Sequence, residues 1–146
     1  MQALYAHEMS GESVESVLEN IVSELKKHKE SFEFARSLIL KVVETSKELD
    51  QMIKDRVKNW EFHRLAVIDK VILRIGICEL LYFEDIPPKV SINEAIEIAR
   101  TYSTEKSDKF VNGVLDSVLD DLRASGRLKK TGRGLVESSP SKKPAE

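Results

Sequence analysis

Apolar residues return every three or four positions along most of this chain, the spacing that gathers them on one face of an α-helix. Val14, Val17, Leu18, Ile21 and Leu25 form the first such stripe, entered through Ser13 as a plausible N-cap. Phe34, Leu38, Val42 and Leu49, joined by Ala35, Ile39, Val43 and Ile53, form a second, spread over one bent helix or two. Leu65, Ile68, Ile72 and Ile75 make a third, and Val67, Val71, Cys78 and Leu81 cover much of its flank. A helix apolar on most sides belongs in the middle of a bundle.

Turn residues are scarce between these stripes. From Glu12 to Ser125 the only glycines are Gly76 and Gly113, and the only prolines are the pair Pro87-Pro88. Antiparallel sheets need turn punctuation every eight to twelve residues or so, which leaves an all-α fold. Pro87-Pro88 stops the third helix, because proline donates no helical bond and restricts the residue before it. Ser91 with Glu94 reads as a capping box that opens the next helix, whose inner face carries Ile92, Ala95, Ile96 and Ala99. The last helix starts near Ser107 or Asp108, carries Phe110, Val111, Val114, Leu115, Val118 and Leu122 inward, and frays near Gly126. At the other end, Gln2, Ala3, Leu4 and Tyr5 read as helix interior with no cap before them. So short a helix must lean on the bundle.

Composition refines this picture. The chain has 146 residues, 41% hydrophobic and 33% charged, which suits one domain, residues 1–126, with a proper core. Residues 127–146, rich in lysine, glycine, serine and proline, read as a disordered basic tail. That tail holds 6 basic and 2 acidic residues, whereas residues 61–126 hold 8 basic and 12 acidic. A body this acidic needs a local basic patch to hold RNA, because phosphate contacts supply most sequence-independent affinity. No apolar run approaches the roughly 18 residues of a membrane span, and the N-terminus lacks the layout of a secretory signal. The single cysteine, Cys78, suits a reducing compartment, so the expected location is the cytoplasm.

Candidate chemistry is sparse. HExxH, paired CxxC, P-loop and GxGxxG patterns are all missing, and His7, His28 and His63 follow no ligand spacing. The expectation is therefore no metal, no cofactor and no catalysis, with Cys78 as core packing. Gly76 and Gly113 each weaken a helix by about 1 kcal/mol relative to alanine, and close helix crossing is the expected reason at both. Asn112 beside the start of the last helix carries an amide free to bond a neighbouring loop or helix end. The segment Thr104-Glu105-Lys106-Ser107-Asp108-Lys109-Phe110 is the best local binding surface: two lysines, hydroxyls, first-turn amides and an aromatic. Helix N-termini hold phosphates and rings stack on unpaired bases. The same residues also make a capped loop with Phe110 as a core anchor, and composition alone leaves both readings open.

Several blocks together resemble the NusB family. Asn59-Trp60, Arg64-Leu65-Ala66-Val67-Ile68-Asp69-Lys70-Val71-Ile72-Leu73-Arg74-Ile75 and Cys78-Glu79-Leu80 are similar to its central helix. Pro87-Pro88-Lys89-Val90-Ser91-Ile92-Asn93-Glu94-Ala95-Ile96-Glu97-Ile98-Ala99 is similar to the helix after it. Lys109-Phe110-Val111-Asn112-Gly113-Val114-Leu115-Asp116 matches the family's most recognisable block, and Gln2-Ala3-Leu4-Tyr5 its first helix. The resemblance implies a helical bundle of about seven helices in two three-helix subdomains. It implies a transcription antitermination factor that pairs with NusE, a protein of the small ribosomal subunit. The pair binds boxA RNA and, with other Nus factors, helps RNA polymerase read through terminators in ribosomal RNA operons. Carried over by position, Lys106, Lys109, Phe110 and Asn112 face RNA, while Tyr5 and Asp69 lie toward the NusE and RNA side. The oligomeric state implied is monomer or homodimer.

One departure stands out. The family carries an arginine-rich segment just before its Gln-Ala-Leu-Tyr block, where here Met1 directly precedes Gln2. The favoured expectation is a translation start further upstream, so that the chain from Met1 binds boxA RNA more weakly than an extended one. The alternative is a NusE-binding helical adaptor with weak or no RNA binding. A third reading, the NusB-like domain of a ribosomal RNA cytosine methyltransferase, expects a cofactor-binding α/β domain after it, and a basic tail stands there instead.

Overall fold

The computed structural model describes residues 1–11, 13, 29–104 and 106–135. The expected stripe from Val14 to Leu25 lies outside them. The α-helices are α1 (Gln2–Ser10), α2 (Lys29–Glu44), α3 (Ser46–Arg56), the short α4 (Asn59–Phe62), α5 (Val67–Tyr82), α6 (Pro88–Tyr102) and α7 (Ser107–Ser125). A 3₁₀ turn, Gly132–Leu135, follows, and no strand occurs among the described residues. The all-α expectation holds, with a helix number near the seven implied.

Helix α5 is the hub. Val71, Ile72, Leu73, Ile77, Cys78 and Leu80 are at most 2% exposed, as expected of a helix apolar on most sides. It packs on α6 and α7 on one side and on α1, α2 and α3 on the other. Arg74, the one side chain between Val71 and Leu80 that is not fully buried, ties that second group together. Its guanidinium forks onto Asp50 of α3, Nε to Oδ1 at 2.6 Å and Nη2 to Oδ2 at 3.1 Å, and reaches Glu8 of α1 at 3.1 Å.

The second stripe resolves into two helices. Thr45 interrupts them, its Oγ1 donating back to the Lys41 carbonyl at 2.7 Å, a bond that competes with helix propagation. Ile39, Val42, Leu49 and Ile53 are buried, whereas Leu38 and Val43 are half-buried. Phe34, expected in the stripe, is exposed and meets Phe83 edge-on at 5.5 Å between ring centroids.

Two local expectations are corrected. Helix α5 ends at Tyr82, before the prolines, and Pro87-Pro88 starts α6 instead, with Pro87 as N-cap and Pro88 in the first turn. Proline suits that place because its missing N–H belongs to a turn whose donors are unpaired anyway. Ser91 therefore lies inside α6, 1% exposed, and is no cap. The first helix does begin uncapped at Met1, and Leu4 anchors it at 5% exposure.

Part of the expected tail is fixed on the body. Helix α7 ends at Gly126, which takes the left-handed φ of 75° while Arg127 and Leu128 donate to the Leu122 carbonyl. Arg127 pairs with Glu48 at 2.9 Å. Lys130 Nζ donates to the Glu79 and Phe83 carbonyls at 3.0 and 2.8 Å, closing the end of α5. Gly134 is buried so close to the Glu84 carbonyl that a Cβ would fall 1.9 Å from it. Residues 127–135 thus have defined partners, contrary to the disorder expected of them. The short basic stretch gave no hint of this, since the side-chain partners of Arg127 and Lys130 lie 47 to 79 positions away.

Candidate nucleic-acid interface

Four helix ends converge at one end of the bundle: the start of α5, the end of α6, the start of α7 and, through Gln2, the start of α1. The α6–α7 connection sits among them, pinned from beneath by Asp69, a first-turn residue of α5. Asp69 Oδ1 accepts from Ser103 Oγ at 2.7 Å and Oδ2 from Ser107 Oγ at 3.1 Å. The two serine oxygens lie 2.8 Å apart, and Thr104 Oγ1 lies 3.0 Å from Ser107 Oγ. Asp69 is 8% exposed and Ser107 4%, so this network is largely out of water. A satisfied buried network of this kind fixes a loop, and an unpaired member costs roughly 1–3 kcal/mol.

The side chains this loop presents are those singled out from sequence. Lys106, Lys109 and Asn112 are exposed, at three-residue intervals along one side of α7. Neither lysine makes an ion pair among the described residues. Asp108, between them, is already engaged: Arg100 Nε reaches its Oδ2 at 3.1 Å, and Arg100 also holds Glu97 at 3.2 Å. The guanidinium beside it holds the Asp108 carboxyl below the usual carboxylate range. Among the described residues, Asp108 and Glu97 are thus partnered by Arg100 and not by the two lysines.

Phe110 is half-buried, packed against the core with the rest of its ring at the surface. The first-turn amides are less available than expected. Ser107 N–H donates to the Thr104 carbonyl at 3.0 Å and Lys109 N–H to Asp108 Oδ1 at 2.7 Å. The exposed cationic groups at this helix start are therefore the lysine side chains.

The remaining candidates occupy different depths. Tyr5 is 37% exposed on α1. Asp69 lies beneath the loop with both oxygens bonded, so it supports the surface rather than forming it. Tyr102 was not singled out from sequence. It is 49% exposed at the end of α6 and accepts from Gln2 Nε2 at 3.3 Å, which brings α1 to the loop. Its signal was an aromatic at the last turn of a helix, next to a polar loop. Asn112, expected to bond a neighbouring loop or helix end, forms no hydrogen bond among the described residues.

Beside this surface, the end of α3 and the first half of α7 leave an open groove of about 480 Å³. Lys109, Phe110 and Gly113 line one wall, Arg56 and Asp121 the other parts. Arg56 pairs with Asp121 through Nη2, while its Nε is buried with no hydrogen-bond partner among the described residues. The crossing expected at Gly113 is not there: a Cβ would meet nothing within 4 Å. At Gly76 it is, with Leu115 Cδ1 2.9 Å from an added Cβ. Among the described residues no cluster of three or more His, Cys, Asp or Glu could hold a metal, and no helix is long and apolar enough to cross a membrane.

Comparison with known proteins adds identity to geometry. The NusB family model matches residues 1–120. A transcription antitermination protein NusB from Salinibacter ruber is 47% identical over 137 residues, 93% of this chain and 86% of that protein. NusB of T. maritima superposes with a TM-score of 0.76 at 41% identity, covering 82% of this chain and 84% of that one. A crystal structure of antitermination factors NusB and NusE in complex with dsRNA gives a TM-score of 0.74 at 28% identity, covering 82% and 89%.

Proposed function

The chain belongs to the NusB family, and we propose that it acts as a transcription antitermination factor, binding boxA RNA together with the small-subunit ribosomal protein NusE. Relatives carry the antitermination name, and one structural neighbour holds both NusE and double-stranded RNA. In this reading Lys106, Lys109, Phe110 and Asn112 meet the RNA and Tyr5 meets NusE. Asp69 keeps the loop in shape for both. The complex works with other Nus factors on RNA polymerase in the cytoplasm, as a monomer or homodimer of this chain. No bond is made or broken: RNA held by one module raises its effective concentration at the polymerase.

The observation that carries this reading is the pinned loop, which presents two exposed lysines and an aromatic ring over a satisfied Asp69–Ser103–Ser107 network. Each phosphate neutralised on a single strand contributes about 0.7 to the slope of log K against log salt. Replacing Lys106 and Lys109 together by alanine therefore weakens RNA binding by the NusE complex and flattens that slope by about 1.4. A salt titration with unchanged affinity and slope would remove RNA from this face. The acidic body, 12 acidic against 8 basic residues in 61–126, supports a second reading as a NusE-binding adaptor. NusE binding without RNA binding by the complex is its signature.

A further inference from the structure

Residues 127–135, fixed on the body, carry four cations and no carboxylate. Two of the four hold the segment in place: Arg127 pairs with Glu48, and Lys130 donates to the Glu79 and Phe83 carbonyls. The other two, Lys129 and Arg133, are exposed and make no ion pair among the described residues. Arg123, exposed in the last turn of α7, makes none there either. Beside it lies a concavity of about 130 Å³ lined by Arg123, Lys130, Gly134 and Lys89 of the first turn of α6, with no carboxylate in its lining. We propose that this end of the bundle is a second site for the RNA backbone, where Arg123, Lys129 and Arg133 hold phosphates and residues 127–135 form the platform that places them. The inference rests on the RNA reading of the α6–α7 loop and adds a second point of attachment remote from it.

The topology fixes where this site lies. Helix α6 runs from it to the loop and α7 runs back, so the 15 residues of α6 set the two ends about 22 Å apart. Between them α6 and α7 expose Glu94, Glu97, Asp116 and Asp120, a stretch that repels a polyanion. An RNA strand is therefore attracted at both ends and not along the middle. Once the loop holds it, the second contact forms at the effective concentration set by the tethered strand. The platform is built rather than loose. Thr131 N–H donates to the Glu84 carbonyl at 3.0 Å, Leu128 packs on the core, and a Cβ at Gly134 would fall 1.9 Å from that same carbonyl oxygen. Asp85 shares the neighbouring groove with Arg133, and no ion pair joins them. Holding the backbone of Lys129 and Arg133 in place reduces the ordering cost when they meet phosphate. In a chain of net charge −2, a carboxylate-free cluster of cations is complementary to a phosphate backbone.

The test uses the full chain with NusE and two single-stranded RNAs: the shortest that the complex binds, and the same RNA extended at both ends far enough to span the bundle. For the native complex the long RNA should give a slope of log K against log salt steeper by about 2, because three phosphates contribute about 0.7 each. Its advantage over the short RNA should then fall about 20-fold between about 50 and 200 mM salt. Replacing Arg123, Lys129 and Arg133 together by glutamine should remove the difference in slope, leave short-RNA binding at the native level and leave melting unchanged, since all three side chains are exposed. Gly134→Val keeps every charge but cannot seat residues 127–135 against the Glu84 carbonyl, and it should lose the same advantage. A native slope with the long RNA in the triple variant would overturn the proposal. So would a native slope in Gly134→Val, which would mean that loose basic residues suffice. Failure of the RNA reading itself is distinct, because the short RNA would then keep full affinity after Lys106→Ala with Lys109→Ala.

Discussion

Gly76 of α5 and Gly113 of α7 look alike in the sequence, each a lone glycine with an apolar stripe running past it. Their surroundings differ completely. At Gly76 the missing Cβ is filled by Leu115, whose Cδ1 would lie 2.9 Å from it, so the glycine sets how closely α5 and α7 approach. At Gly113 nothing lies within 4 Å, and the missing side chain is part of an open groove. The same residue type serves the core in one helix and an exposed surface in the next. A local reading of sequence cannot separate the two, because the deciding atom at Gly76 belongs to a residue 39 positions away.

The largest effect follows from that contrast. Gly76→Leu forces overpacking at a crossing with no room, and should cost about 3 kcal/mol or more in a denaturant titration. Gly76→Ala combined with Leu115→Ala should recover much of the native geometry, since the atoms in conflict are removed together. Loss of stability no greater than for an exposed leucine would show that α5 and α7 are not in contact there.

Asp69→Ala should come next. It strips partners from two buried or half-buried hydroxyls, costing roughly 1–3 kcal/mol, and frees the loop above. RNA affinity of the NusE complex should fall because the loop above loses the bonds that hold it. Asp69→Asn, which keeps an acceptor, should lose less. Equal loss in both would point to the charge itself rather than to the pinning bonds.

The smallest effect sharpens the comparison from the other side. Gly113→Ala should stabilise the fold by about 0.5–1 kcal/mol, the ordinary gain in a helix interior with free space. A loss of stability there would mean that α7 packs on something at that position.

The core was legible because it is periodic. Ile72, Ile39, Ala95 and Leu115 recur at helical spacing, and all are buried. The break at Thr45, the proline start of α6 and the fixed residues 127–135 were less so. Each depends on a choice between two sound local signals, or on partners distant in sequence, such as Lys130 with Glu79. The site divides along the same line. Lys106, Lys109 and Phe110 stand in one short segment and could be picked out together. What makes them a surface is Asp69, bonded to Ser103 and Ser107 across 34 and 38 positions, and Tyr102, tied to Gln2 across 100. These links exist only in the folded chain.

The central claim is that the pinned α6–α7 loop and the start of α7 form the RNA surface. Hydrogen exchange by mass spectrometry on the complex with NusE, with and without single-stranded RNA, tests it most directly. Protection gained on RNA binding should concentrate in residues 102–113. Protection confined to other segments, with 102–113 exchanging as in the RNA-free complex, would contradict the account.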